Sequence, residues 1–174
     1  MPLTIFPVSG GAKYSNDYGE PRSSGRTHQG NDLFGPEQRP LLAVDDGEVR
    51  YGTDPLGGNV ANLRSPDGTR YYYAHLFAFE GANRKVKAGD VIGYMGRTGN
   101  ALTTPVHLHF EVHPGGGDAT NPYPLLLKAQ VLTVPEKAVV PTPPPVTSGG
   151  NALWYVGGAA VLGLGAWYWF RHRR

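Results

Sequence analysis

The segment "TPVHLHFEVHP", residues 104 to 114, holds three of the chain's six histidines within seven positions, two of them separated by a single leucine. In an extended strand successive side chains face opposite ways, so His107, His109, Glu111 and His113 share one face while Val106, Leu108, Phe110 and Val112 share the other. One face suits a core and the other suits proton transfer or metal ligation. Elsewhere, "THQGND" at 27 to 32 spaces His28 and Asp32 four apart, and the aromatic run "YYYAHL" at 71 to 76 ends a predicted strand near His75. A hydrolytic zinc site commonly takes three His or carboxylate ligands and leaves its fourth position open. His28, Asp32 and one histidine of the His-Leu-His pair would supply that set.

Taken singly, each piece has an ordinary explanation. A His-x-x-x-Asp pair recurs by chance, a histidine before leucine ends many half-buried strands, and His-x-His fits any polar strand face. The three in this order are a stronger signal. The chain has no cysteine, so any metal must be held by nitrogen and oxygen, and thiol catalysis is excluded. Without Arg171, Arg173 and Arg174, the sixteen basic side chains fall to thirteen against fourteen acidic ones. A body so balanced offers no basic footprint for nucleic acid.

The elements that must position these groups read as short strands. Among 174 residues, 25 glycines and 16 prolines accompany recurrent Tyr, Val, Thr and Phe, a mixture that suits strands joined by tight turns. "PLLAVDDGEVRYG" reads as two strands around an Asp-Asp-Gly turn, "NVANLRSPDGTRYYYAHL" as a hairpin turning at Ser65 to Gly68, and "KVKAGDVIGYMG" as a turn at Ala88 to Asp90 followed by a strand. Residues 1–134 are therefore expected to form one all-β, antiparallel domain, barrel-like or sandwich-like. Period two also puts Tyr71 and Tyr73 on the same face as His75, as cleft wall or as packing. Arg22 and Asn31 are expected to line the cleft or hold its loop, Glu111 to support a ligand by a hydrogen bond, and His113 to be solvated at the strand's end.

Beyond the domain, residues 135–151 are rich in Pro, Thr, Ser and Gly and read as a partly stiff tether reaching at most about 50 Å. Residues 152–170 form a run of 19 uncharged, mostly apolar residues with Trp154, Tyr155, Trp167, Tyr168 and Trp169 at its two ends. As a helix this run spans roughly 28 Å, the hydrocarbon thickness of a bilayer, with aromatic residues at both interfaces. A single C-terminal transmembrane helix is expected, followed by a basic tail, 171–174. The arginines favour a cytoplasmic C-terminus, with the domain on the side of the cell wall or periplasm, or in a virion membrane. The opening residues lack the basic and apolar regions of a secretory signal, which fits a phage-encoded protein.

The domain resembles the lysostaphin-type, or LytM-like, zinc endopeptidases of bacterial cell walls over roughly residues 14 to 124. "SNDYGEPR" is similar to that family's opening segment, and "RTHQGNDLFGPEQRPLLAVDDGEV" to its His-x-x-x-Asp block. "GTRYYYAHL", "VKAGDVIGYMGRTGN" and "TTPVHLHFEVH" resemble its Tyr-x-His-Leu segment, its Gly-rich hairpin and its closing strand. The resemblance implies one zinc ion held by His28, Asp32 and His109, with His75 and His107 as catalytic residues off the metal. It implies hydrolysis of peptide bonds in peptidoglycan stem peptides or cross-bridges; anchored to the lipid membrane by the expected C-terminal helix, such an enzyme suits wall remodelling or phage entry and lysis. Three positions depart from the pattern: Val106 stands where glycine is usual, Asn31 where an apolar residue is common, and Gln29 follows the first histidine. None removes a metal-binding group. A catalytically inactive binding or amidase-activating module of the same fold is the alternative. A lipoyl-like carrier fits "VKAGDVIGYMG" alone and gives the His and Asp positions no role.

Overall fold

Nine strands, each paired antiparallel, form two sheets in the computed structural model, which describes residues 3–135. They are β1 (Asn31–Phe34), β2 (Pro40–Leu42), β3 (Gly47–Asp54), β4 (Gly58–Arg64), β5 (Arg70–Ala74), β6 (Ala78–Phe79), β7 (Arg84–Val86), β8 (Val91–Tyr94) and β9 (His107–His113). The larger sheet has the order β1-β9-β5-β4-β3-β7, and the smaller one β2-β8-β6. A four-residue helix, α1 (Tyr123–Leu126), follows. The arrangement is all-β and sandwich-like, two open sheets with a core between them.

Alternation along β9 and β5 builds that core. Leu108, Phe110 and Val112 turn inward from β9, and Tyr71 and Tyr73 from β5, where they meet Leu33, Leu41, Leu63, Ile92 and Met95. The Tyr73 hydroxyl donates to Leu42 O at 3.0 Å and accepts from Val44 N–H at 3.1 Å, fastening the two sheets together at the one polar atom the ring brings inside.

The hairpin over Ser65 to Gly68 forms as expected, with Arg64 opposite Arg70. The strands flanking Asp45-Asp46-Gly47 form too, but β2 and β3 belong to different sheets, so this turn is a crossing between layers. Gly30 fixes the start of β1. A Cβ there would lie 2.3 Å from Phe110 O, so only glycine lets this segment lie against β9. No helix among the described residues is long and apolar enough to cross a membrane. The predicted span at 152–170, the basic tail, and the tether from 136 onward lie outside the described residues.

Candidate metal centre

Strand pairing sets the distance between the two halves of the predicted ligand set. β1 pairs with β9 so that Asp32 stands opposite His109 and Phe34 opposite His107, while β5 lies on the other side of β9 with Ala74 opposite His109. His28 Nε2, His109 Nδ1 and Asp32 Oδ1 converge: the nitrogens are 2.9 Å apart, and each lies 3.1 Å from the oxygen. Three atoms bound to one zinc at 2.0–2.2 Å in tetrahedral directions would lie about 3.3 Å from one another. A nearly equilateral triangle of two imidazole nitrogens and a carboxylate oxygen fits that ion closely. The donor chemistry fits too, being the nitrogen-oxygen set that a cysteine-free chain must use.

Each ring is held from behind. On His28 the far nitrogen, Nδ1, lies between Asp17 O at 2.9 Å, an acceptor, and Arg22 Nη2 at 2.7 Å, a donor, and on His109 the far nitrogen, Nε2, donates to Glu111 Oε1 at 2.9 Å. The Glu111 contact fixes which nitrogen of His109 faces the metal and increases its basicity. Glu111 then reaches His113, whose Nε2 lies 2.6 Å from its Oε2 and whose Nδ1 lies 2.9 Å from Gly117 O. His113 is therefore buried and bonded at both nitrogens, contrary to its expected place in solvent, because the loop after Pro114 folds back and presents a carbonyl.

Burial opposes charge on all three groups, and partners decide the outcome. It would raise the Asp32 carboxyl, but hydrogen bonds and charge from His109 and His28 hold it far below the usual carboxylate range. It would lower His109, but Asp32 and Glu111 push that imidazole up to about 9 in the metal-free protein. Burial would likewise raise Glu111, which His109 and His113 hold below its ordinary value.

His75 reaches the centre by breaking the alternation of β5. Its φ is +66°, a left-handed conformation uncommon for a residue other than glycine. The ring comes to 4.8 Å from that of His107 and 6.1 Å from that of His109, between ring centroids. Period two had placed it with Tyr71 and Tyr73, but those two are core and carry no site function. Tyr72, which the sequence did not single out, lies on the site face with its ring edge-on to His109 at 6.3 Å and its hydroxyl donating to Asp54. Alternation carried the signal, since a residue between the inward-facing Tyr71 and Tyr73 must face the other way, and the pairing of β5 with β9 then brings it opposite Glu111. Gly96 permits the approach of the two loops, since a Cβ there would meet Phe77 N at 2.5 Å and His75 O at 2.9 Å.

His75 and His107 share a tautomer set by the backbone. Nδ1–H of His75 donates to Thr98 O at 2.9 Å, and that of His107 donates to Pro105 O at 2.8 Å. In the neutral rings both Nε2 atoms are therefore bare acceptors, and that of His107 stands 3.8 Å from Asp32 Oδ1. Burial, with the nearby His107, pushes the His75 pKa down to about 4. Arg22 and Asn31 both brace the centre. Arg22 Nη2 donates to Asp32 Oδ2 at 2.9 Å, and the buried Asn31 donates to Asp17 Oδ1 and to Ser15 O. Asp17, which receives bonds from Arg22 and Asn31 and lies 3.3 Å from His28, was not singled out in the sequence because its neighbours there carry no recognisable spacing.

A two-sheet antiparallel β domain with a His-Asp-His donor triangle flanked by two further imidazoles defines a zinc metallopeptidase domain. Residues 26–122 match peptidase family M23, and this chain belongs to that family. It is 37% identical over 114 residues to the DD-carboxypeptidase/endopeptidase Mpg of Neisseria meningitidis, a match that covers 65% of this chain and 26% of that protein. The chain thus spans about a quarter of the length of that curated relative. Among solved structures, it resembles the catalytic domain of lysostaphin from Staphylococcus simulans, with a TM-score of 0.60, 32% identity, and coverage of 67% of this chain and 92% of that one. It also resembles the catalytic domain of the prophage-encoded M23 protein EnpA from Enterococcus faecalis, with a TM-score of 0.58, 28% identity, and coverage of 70% and 95%.

Proposed function

We propose that this chain is an endopeptidase that hydrolyses peptide bonds in the stem peptides or cross-bridges of bacterial peptidoglycan. The observation that carries the reading is the donor triangle of His28, Asp32 and His109 standing beside two imidazoles whose Nε2 lone pairs are open. Those three residues would hold a zinc ion, which would supply Lewis acidity for activating water and polarising a carbonyl oxygen. His107 Nε2 accepts the proton of the attacking water and returns it to the departing amine. His75, neutral at ordinary pH because of its depressed pKa, accepts a hydrogen bond from that water at Nε2 and fixes its orientation. Once protonated, His107 donates at Nε2 to the oxyanion that develops at the scissile carbonyl before its proton passes to the amine.

In this reading residues 1–134 are the catalytic domain, 135–151 a tether, 152–170 a transmembrane anchor and 171–174 a cytoplasmic tail. The support is compositional: a Pro-rich segment, an uncharged apolar run with aromatic ends, and terminal arginines. Anchoring confines the domain near a membrane and raises its concentration at the wall. A role in phage infection or lysis is supported by the likeness to a prophage-encoded relative.

Digestion of purified walls of several chemotypes with the zinc-loaded chain, followed by mass analysis of released fragments, tests the activity. New peptide termini that disappear with His109→Ala are expected. Zinc-loaded protein that releases nothing from any wall would return the chain to a binding or activating role.

A further inference from the structure

The face of the large sheet that carries His109 continues away from the metal centre as two cross-strand rows. One runs Glu111, Tyr72, Asn62, Arg50, and the next runs His113, Arg70, Arg64, Glu48, Lys85. Arg50, Asn62, Arg64, Arg70 and Glu48 line a concavity of about 330 Å³ on this face. Tyr72 joins it to the centre, its ring 6.3 Å from that of His109 and 5.8 Å from the Arg70 guanidinium carbon.

Its charges are unbalanced. Glu48 accepts from Arg50 Nε at 3.0 Å. Arg70 bonds only the neutral Asn62 Oδ1, at 3.2 Å, and Arg64 only the carbonyl of Gly68, at 3.5 Å. Among the described residues no carboxylate pairs with either. Arg64 and Arg70, directly opposite each other in register on adjacent strands, thus hold guanidinium donors in reserve, and that planar fork matches a carboxylate.

We propose that Arg64 and Arg70 bind a carboxylate of the peptide strand lying in the groove, which deepens the peptidoglycan reading above and rests on it. His113, opposite Arg70, is four residues beyond His109 on β9, about 13 Å at strand rise. Arg70 and Arg64 stand one and two strands across from His113, so they lie roughly 14–16 Å from His109, about four to five residues of extended peptide. The site therefore selects a stem peptide with a free acidic residue at that reach over a neutral bridge or an amidated stem. The patch is two rows deep in a domain of nearly balanced charge, which suits one or two carboxylates better than a phosphate polymer.

Two rhodamine-labelled cross-linked stem peptides test this, identical except that the glutamate carboxyl is free in one and amidated in the other. Binding is read by anisotropy with the zinc-loaded His107→Ala chain, which does not depend on turnover, and KM and kcat are read with the unaltered chain. The free acid is expected to bind about five- to tenfold tighter, with the difference appearing in KM. Arg64→Gln/Arg70→Gln should bind both peptides equally, at the amidated level, with an unchanged melting temperature, and the Lys/Lys pair should restore part of the preference. Equal affinity of the parent for both peptides overturns the proposal, as does a preference that survives the double Gln change. Polyphosphate binding that is lost with these arginines, without any peptide preference, overturns it in favour of a phosphate polymer. A preference that the double change abolishes, in a chain that cuts no wall, sustains the carboxylate site and removes the hydrolase reading instead.

Discussion

Glu111 Oε1 accepts the Nε2 proton of His109 at 2.9 Å, on the side of the ring facing away from the donor triangle. That contact commits Nδ1 of His109 to the centre. Glu111→Leu should weaken zinc affinity by about 10- to 100-fold. Glu111→Gln, which keeps an acceptor, should lose less. Competition with a chelator of known affinity measures both.

His113 secures the other oxygen of the same carboxylate, at 2.6 Å, and is only 8% exposed. His113→Phe leaves Glu111 Oε2 and Gly117 O short of a donor, and should cost about 1–3 kcal/mol of stability. Zinc affinity should fall less than with Glu111→Leu, since the bond to His109 survives. Urea unfolding of the zinc-free chain reads the first effect and chelator competition the second.

His75 combines a left-handed backbone with a ring 4.8 Å from that of His107. Asparagine tolerates that conformation, so His75→Asn should fold and bind zinc while losing about 10²- to 10⁴-fold in kcat. His75→Val, with its branched Cβ, should in addition lose about 1–3 kcal/mol of stability. Metal content by atomic absorption and thermal melting distinguish the two variants.

The metal-free domain should be most stable near pH 6.5. The folded pKa of His75 is lowered from 6.5 to about 4, so between these values the unfolded chain binds the extra proton and stability falls as pH falls. That of His109 is raised from 6.5 to about 9, so the folded chain binds the extra proton there and stability falls as pH rises. Asp32, lowered far below the carboxylate range, loses its contribution only at more acid pH. Melting temperatures in chelator from pH 4.5 to 9 should trace this maximum, and His75→Asn should flatten its acid limb.

Gly30→Ala places a methyl group 2.3 Å from Phe110 O. It should destabilise by about 1–3 kcal/mol and weaken zinc binding as well, because His28 and Asp32 lie on either side of Gly30 while His109 stays on β9. Retention of full zinc affinity would show that the close approach is not what aligns the two halves.

Local pattern was enough to assign β2, β3, β4, β5, β8 and β9, their inward faces and the chemistry of the ligand set, but not β1, β6 or β7. Alternation is a local property, so Leu108, Phe110 and Val112 could be assigned to the core and His107 and His109 to one face. The resemblance to cell-wall endopeptidases then singled out the positions that the structure brings within 3.1 Å of one another. Tertiary structure decided what local periodicity cannot carry. A single left-handed residue moved His75 from the face of Tyr71 and Tyr73 to the side of His107. A loop folding back gave His113 a carbonyl and Glu111 a second imidazole. The register of four strands set Arg64 against Arg70 at one end of the face and the His-Asp-His donor triangle at the other. Register and backbone dihedrals are fixed by contacts between residues far apart in the chain, and such contacts leave no period in the sequence.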